Sequence, residues 1–370
     1  MRRILPLIAL LPLAAALLPA ADDHWAIADG EVTSVAFFEG QVHLAGGFTR
    51  IRTTLADAPA AGLARWDGAA WQAVPAGTGN ALQALGVAGG SLFASGDFAA
   101  RPSAYGTLAR LDGDEWFYMA DFRPELADVR ILAHDGNQMI LDRRIGISPE
   151  RHRLLCFTGY EVQTLAEFAT QPVSAACDAQ RVVVLAGNQV GLWQAGAMTW
   201  WNAPVGTQLA AVALETDGTV VVGGEDVTTT HTMPWCTTTG VVYRRQGDAW
   251  QLINHEELEM LENFRIRSLS IGGGTLYAAG DFVSIDGQSA LGLAARSAGA
   301  WSAVGGGIPS FDQTSWISTP WGNIVRADAQ GRVAVALRGD FDGAPGDLVC
   351  LFNGQAWTDF TAGNTPPTAA

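Results

Sequence analysis

The chain has no lysine: its 22 basic residues are all arginine, set against 37 acidic ones. With alanine and glycine so abundant, that bias points to a GC-rich bacterial coding sequence. The formal net charge is −15 while only 16% of residues are charged. Such a surface disfavours a nucleic-acid backbone or an anionic membrane as partner. Cysteine is also scarce. Cys156, Cys177, Cys236 and Cys350 are too widely spaced for a small disulfide framework, and they read as buried small apolar side chains. Cys156 with Cys177 is the one pairing conceivable across neighbouring repeats. Beyond residue 18 no apolar run approaches the roughly 20 residues of a membrane-spanning helix. No Gly-x-Ser-x-Gly elbow, His-Glu-x-x-His pair or phosphate loop is present either.

What is present begins with Arg2 and Arg3, an apolar run from Ile4 to Leu18, small residues to Ala21 and then Asp22-Asp23. That order is a secretory signal peptide over residues 1–21, with cleavage near Ala20 or Ala21. Export to the periplasm or the medium follows. The mature chain has about 350 residues and a net charge of about −17 once Arg2 and Arg3 are removed. Residues 363–370, with two prolines, read as a disordered tail.

Internal repetition organises the remainder, 22–362, as one domain. A strand, a tight turn and a Trp recur as Arg65-Trp66-Asp67-Gly68 before Trp71, Arg110-Leu111-Asp112-Gly113 before Trp116, Arg245-Gln246-Gly247 before Trp250, and Leu351-Phe352-Asn353-Gly354 before Trp357. Weaker copies lead to Val162, Trp200 and Trp301. Successive anchors lie 45, 46, 38, 50, 51 and 56 residues apart, the length of a four-stranded propeller blade with variable loops. Upstream of each lies a second hairpin of alternating apolar residues, such as Thr33 to Phe37 and Val42 to Phe48 around Glu39-Gly40-Gln41. The expected fold is all-β, a seven-bladed β-propeller with strands a to d running outwards. Its repeats fall at about 33–76, 81–122, 126–168, 172–203, 207–254, 266–308 and 322–361. An eighth d-like segment, His24-Trp25-Ala26-Ile27, is expected to complete or flank the last blade, because a ring closed by both termini protects its open edges.

The pattern Ala45-Gly46-Gly47-Phe48 … Leu63-Ala64-Arg65-Trp66-Asp67-Gly68 … Trp71, with Gly280-Asp281-Phe282 and Gly339-Asp340-Phe341, resembles kelch-type and galactose-oxidase central-domain propellers. It is similar also to the "GGDF … ARWDG … W" repeats of bacterial secreted proteins and of a fungal cortical polarity-marker ectodomain. The resemblance implies the fold and leaves function open, since such propellers serve as scaffolds and as enzymes. It is weakest in the third and fourth repeats, where Leu141-Asp142 replaces Gly-Asp and Val162 replaces Trp. A copper oxidase of the galactose-oxidase type needs a Tyr and His ligand set that has no counterpart here. The Asp-Gly-x-x-Trp turns are one residue short of sialidase Asp boxes and lack their Ser.

Propeller geometry sends the d-to-a and b-to-c connections to one face and the a-to-b and c-to-d turns to the other. The second set is uniformly tight. Length variation falls on the first, in Thr49 to Ala61, Arg143 to Arg153, Thr228 to Gly240, His255 to Phe264 and Pro309 to Asn323, and binding residues concentrate on long loops of rigid scaffolds. Candidate ligand-binding residues there are His231, Trp235, Trp316 and Trp321, whose rings beside polar donors suit carbohydrate or peptide, together with Arg143 and Arg151, able to bind an anion or to pair with nearby acids. Asn254 with Glu257 marks the start of a short inserted helix reaching Phe264.

At the end of strand b stand Asp97, Asp142, Asn188, Glu225, Asp281 and Asp340. Short polar groups there accept backbone N–H bonds; the alternative is Ca²⁺, with Asp97, Asp281 and Asp340 as oxygen ligands. No other cofactor is implied. The reading is a secreted, non-catalytic binding scaffold for protein or carbohydrate. A glycan hydrolase or lyase using top-face carboxylates stays open, since paired acids leave no sequence signature, as does a structural cell-surface role. Expression with export should yield a mature protein whose first residue, by N-terminal sequencing, is Ala21 or Asp22; retention of Arg2 and Arg3 contradicts the leader.

Overall fold

The computed structural model describes residues 25–360 except 54–55, 75–81, 102, 104, 114, 228–238, 255–264, 308–320 and 342–343. Cys236, the leader, the tail and the helix expected after Asn254 lie outside the described residues. Within them, seven four-stranded antiparallel sheets follow one another along the chain, at 32–73, 82–118, 129–168, 172–202, 207–252, 265–303 and 321–352, the last completed from the N-terminus. The chain is a seven-bladed β-propeller. The weakly patterned third and fourth repeats each form a full blade, ordered as four consecutive strands.

Hairpin chemistry explains the plain face. At Glu39-Gly40 and Ala298-Gly299 both turn residues have positive φ, 50° and 77°, and 50° and 87°. That left-handed pair matches the right-handed twist of the flanking strands. The glycine that recurs at the end of strand b has another cause. Strand a is bulged near its start in every blade, for example between Val32 and Ser34, Leu209 and Ala211, and Ile266 and Ser268. The bulge pushes a carbonyl against strand b, so a Cβ at Gly46, Gly224 or Gly280 would stand 2.0, 2.1 or 1.9 Å from the oxygens of Glu31, Gln208 and Arg265.

Apolar burial is organised by seam rather than in one centre. One cluster joins Ala36 and Leu63 of blade 1 to Leu85 and Leu92 of blade 2. Another joins Val242 of blade 5 to Ile266 and Leu276 of blade 6, and a third joins Ala334 and Val349 of blade 7 to Val35 and Leu44 of blade 1. The Trp anchors tie the outer rims. Trp250 Nε1 donates to Asn202 O at 2.9 Å, Trp301 Nε1 to Ile253 O at 2.9 Å and Trp357 Nε1 to Gly307 O at 2.8 Å, each reaching the preceding blade.

Ring closure follows the N-terminal expectation and sharpens it. Strand d of blade 7 is Ala26–Ala28, paired antiparallel to Ala344–Phe352 with Ala26 opposite Val349. Trp357, in the segment that repeat counting assigned to that position, makes a single bridge to Phe352. The loop from Thr49 to Ala61 is also structured. Its strands Arg50–Arg52 and Asp57–Pro59 form a hairpin that adds to Ala26–Ala28, so blade 7 carries six strands and its outer edge is covered.

Asp347, 1% exposed, sits at this closure and accepts the Val32 N–H at 2.6 Å. Burial pushes its carboxyl up to about 6, with Glu31 pushing the same way and the Val32 N–H, Arg338 and Asn323 pulling it down. Between roughly pH 4 and 6 the folded chain therefore binds this proton more tightly than the unfolded chain. The stabilisation it gives is complete below that window and is lost as pH rises through it, by roughly 3 kcal/mol. Asp347→Asn keeps an acceptor for Val32 and removes the ionisation. Its melting temperature should rise at neutral pH and match the parent near pH 4; a lower value at neutral pH contradicts this account.

Candidate functional site

The variable face is built differently from its sequence pattern. His231, Trp235 and Trp316 lie outside the described residues, and Trp321 is the first residue of blade 7 strand a, its backbone opposite Arg338. The expected loop from Arg143 to Arg153 is instead a continuous hairpin of Met139–Ile147 and Glu150–Phe157, turned at Ser148-Pro149. Arg143 Nη2 donates to Pro124 O at 3.4 Å, and Arg151 and Arg153 hold Glu167 at 3.1 and 2.5 Å. These guanidinium groups are thus engaged within the protein. Among the described residues the Asn254 side chain is tied to blade 5: its Oδ1 accepts the Val242 N–H at 2.6 Å and its Nδ2 donates to Gly240 O at 3.0 Å.

The acidic positions after strand b are occupied unevenly. Buried Asp142 accepts from Tyr105 Oη, bonds His152 Nδ1 at 3.0 Å and pairs with Arg130 Nε at 3.2 Å. Burial first, and the adjacent Asp142 carboxylate second, raise the Tyr105 phenol well above its ordinary range. Glu225 takes Arg265 from the next blade at 2.7 and 2.8 Å, and Asp281 takes Arg267 at 2.6 and 2.7 Å. Asn188 is exposed, and the Asp340 side chain lies outside the described residues. Among the described residues no group of three or more His, Cys, Asp and Glu converges as a metal site. Sequence reasoning missed the arginine partners because Arg130, Arg265 and Arg267 stand on strand a, where alternation marks them only as polar.

A second feature lies at the opposite end of the ring. Where the inner strands approach the a-to-b turns, they line an open-mouthed cavity of about 480 Å³, within the size range of small-molecule sites. Val35, Ala133, Ala175, Val212 and Leu269 form the apolar part of its wall; Arg326, His134 and Cys177 stand among the polar groups, with Thr216, Ser270 and, at the mouth, Asp135 and Asp328. Desolvation lowers the Arg326 pKa and holds His134 down to about 4, with the Arg326 charge acting on His134 in the same direction. Cys177 is a free thiol that burial raises well above its ordinary value. Cys156, also free, donates its thiol to Gln138 Oε1 at 3.0 Å, so the conceivable bridge between these two cysteines is not formed.

No protein-family model matches the chain, and no curated protein does. Solved structures do. The extracellular domain of a hybrid two component system from B. thetaiotaomicron superposes with a TM-score of 0.50 at 13% identity, covering 86% of this chain and 38% of that one. The protein YCF48 bound to D1 peptide gives 0.54 at 15% identity over 94% and 97% of the two chains. A puromycin-hydrolyzing peptidase of Mycobacterium tuberculosis gives 0.53 at 10% identity over 92% and 54%. The chain thus spans well under half of the first structure's length. At these identities the likeness is one of fold.

The Glu225–Arg265 contact gives a direct test of the acidic ring. Arg265→Met strands a carboxylate that is 3% exposed, and breaking a buried pair from one side costs about 3–5 kcal/mol. Because Arg265 itself is partly exposed, the loss should fall at the lower end. Adding Glu225→Gln should recover most of it in urea unfolding; additive losses from the two changes contradict the pairing.

Proposed function

We propose that this protein is an exported, non-catalytic binding scaffold that engages protein or carbohydrate through the face carrying its b-to-c and d-to-a connections. The observation that carries this reading is the division of labour in the ring. Its a-to-b and c-to-d turns are short throughout, whereas the b-to-c connections of blades 1 and 6 are elaborated into hairpins, Arg50–Arg52 with Asp57–Pro59 and Ser284–Ile285 with Gln288–Ser289. Elaborated loops on a rigid frame are where recognition concentrates. The carboxylates Asp142, Glu225 and Asp281 at that end are matched by arginines, which favours binding over hydrolysis by a pair of free acids. Peptide is one ligand class within this reading, as the YCF48 structure bears a peptide.

Export rests on the leader-like residues 1–21, and no described helix is long and apolar enough to cross a membrane. Kinship with kelch-like propellers rests on the Gly-Gly-Phe … Ala-Arg-Trp-Asp-Gly … Trp spacing of the first repeat. The test is a screen of the mature chain on glycan and peptide arrays, followed by alanine replacement of His231, Trp235, Trp316 and Trp321 together. Loss of the captured ligand with an unchanged melting temperature is expected. Undiminished capture removes this face from the reading, and turnover of a captured glycan replaces scaffold by enzyme.

A further inference from the structure

We propose that the cavity at the tight-turn end of the ring is a second binding site, one that takes a carboxylate borne on a compact apolar body and seats it on Arg326. The argument begins with charge. Arg326 lines the cavity and forms no ion pair among the described residues; its one side-chain hydrogen bond there is a long one, Nη1 to the carbonyl of its own neighbour Val325 at 3.4 Å. Arg326 is half-buried, and a guanidinium partly withdrawn from water without an anion is costly; this one has four further N–H donors in a planar fork that fits a carboxylate.

None of the neighbours supplies the missing charge. From blade 4, Cys177 is held as the neutral thiol, and from blade 3, His134 is held as the neutral imidazole, with its buried Nδ1 lacking a hydrogen-bond partner. The carboxylates at the mouth have other work. Asp328, beside Arg326 on blade 7, accepts the N–H groups of Gln330 and Arg332 at 3.0 and 2.9 Å and pairs with Arg332 Nε at 2.6 Å. Asp135 of blade 3 accepts the turn N–H groups of Asn137 and Gln138 at 2.8 and 2.9 Å. Thr216 from blade 5 and Ser270 from blade 6 complete the polar lining and carry no charge. The remaining wall is apolar, and the volume corresponds to about sixteen waters at ~30 Å³ each. An inorganic oxyanion would leave that wall hydrated. A hydrocarbon-bearing carboxylate fills it and neutralises the cation, whether as a free acid or as the last residue of a peptide with an apolar side chain.

Cys177 provides a reporter inside the same cavity. The mature chain is to be treated with a small mercurial in the presence of hexanoate, hexanamide, phosphate, or a short peptide ending in leucine as its acid or its amide, with labelling of Cys177 read by mass spectrometry. Protection by hexanoate or the peptide acid, and not by the matching amides or phosphate, is the expected result; which acid protects better tells the free acid from the chain terminus. Arg326→Gln should weaken protection by roughly ten- to a hundredfold. Equal protection by amide and acid, protection by phosphate as good as by hexanoate, or no protection by either acid up to tens of millimolar overturns the proposal. The acid-to-amide comparison uses the unaltered protein, so it decides the matter even if Arg326→Gln does not fold. Ligand capture on the opposite face does not enter this readout.

Discussion

The innermost strand of each blade has one edge with no strand beside it, and the polar backbone along that edge must be satisfied without closing the channel. Leaving a buried N–H unpaired costs about 1–3 kcal/mol, so every blade would carry this penalty. The bulge in strand a turns individual N–H groups towards the adjacent blade, where a side-chain oxygen waits. Ser34 accepts from Leu85 at 2.9 Å, Ser95 from Ile131 at 3.0 Å, Ser174 from Val212 at 3.3 Å, and Ser268 and Ser270 from Val325 and Ala327 at 3.2 and 2.9 Å. Where no serine serves, a charged group does. Arg130 reaches Pro172 O, Glu225 takes Arg265, and Asp347 takes the Val32 N–H. Each of the seven seams thus holds a specific polar clasp over its apolar cluster, and the clasps fix blade against blade where hydrophobic contact alone would let them slide.

The same requirement accounts for the uneven chemistry of the two ends. Arginines and acids near the ends of strand b are drawn into seam contacts, so polar residues that look available in sequence are committed to holding the ring. Arg326 is the exception with the clearest consequence: it stands near the turn end of its strand, where the neighbouring carboxylates Asp135 and Asp328 are bonded to their own turns and the remaining wall is mostly alanine, valine and leucine.

Much of the fold was legible because its signals are local. The Gly-bearing turns, the Trp after each c-to-d turn and the alternation of Val32–Phe38 report the conformation of a few adjacent residues. Trp25 was legible as a closing segment since it repeats Trp301. The seam serines were not, because a serine on a half-buried strand looks like any polar residue until the bulge opposite it is known. The Arg143 to Arg153 stretch was misread as a loop because its arginines and Ser148-Pro149 mimic a solvated connection, although its Ile147 and Leu154 to Phe157 continue the strand pattern. The channel cavity left no mark at all. Its lining comes from six inner strands far apart in the chain, and single residues such as His134 and Arg326 carry no spacing that connects them.

Closing the ring through Ala26–Ala28 sets the first strand of the domain against the last. Val32 and Asp347 are 315 residues apart, and joining chain ends over such a distance costs about 5 kcal/mol of loop entropy beyond a constant, a sum that grows only with the logarithm of length. Twenty residues added anywhere in the ring would change it by less than about 0.1 kcal/mol. Once the circle is long, further length is nearly free. The domain is therefore indifferent to how much chain its connections carry, and an insertion between blades is limited by what it does locally rather than by what it does to closure.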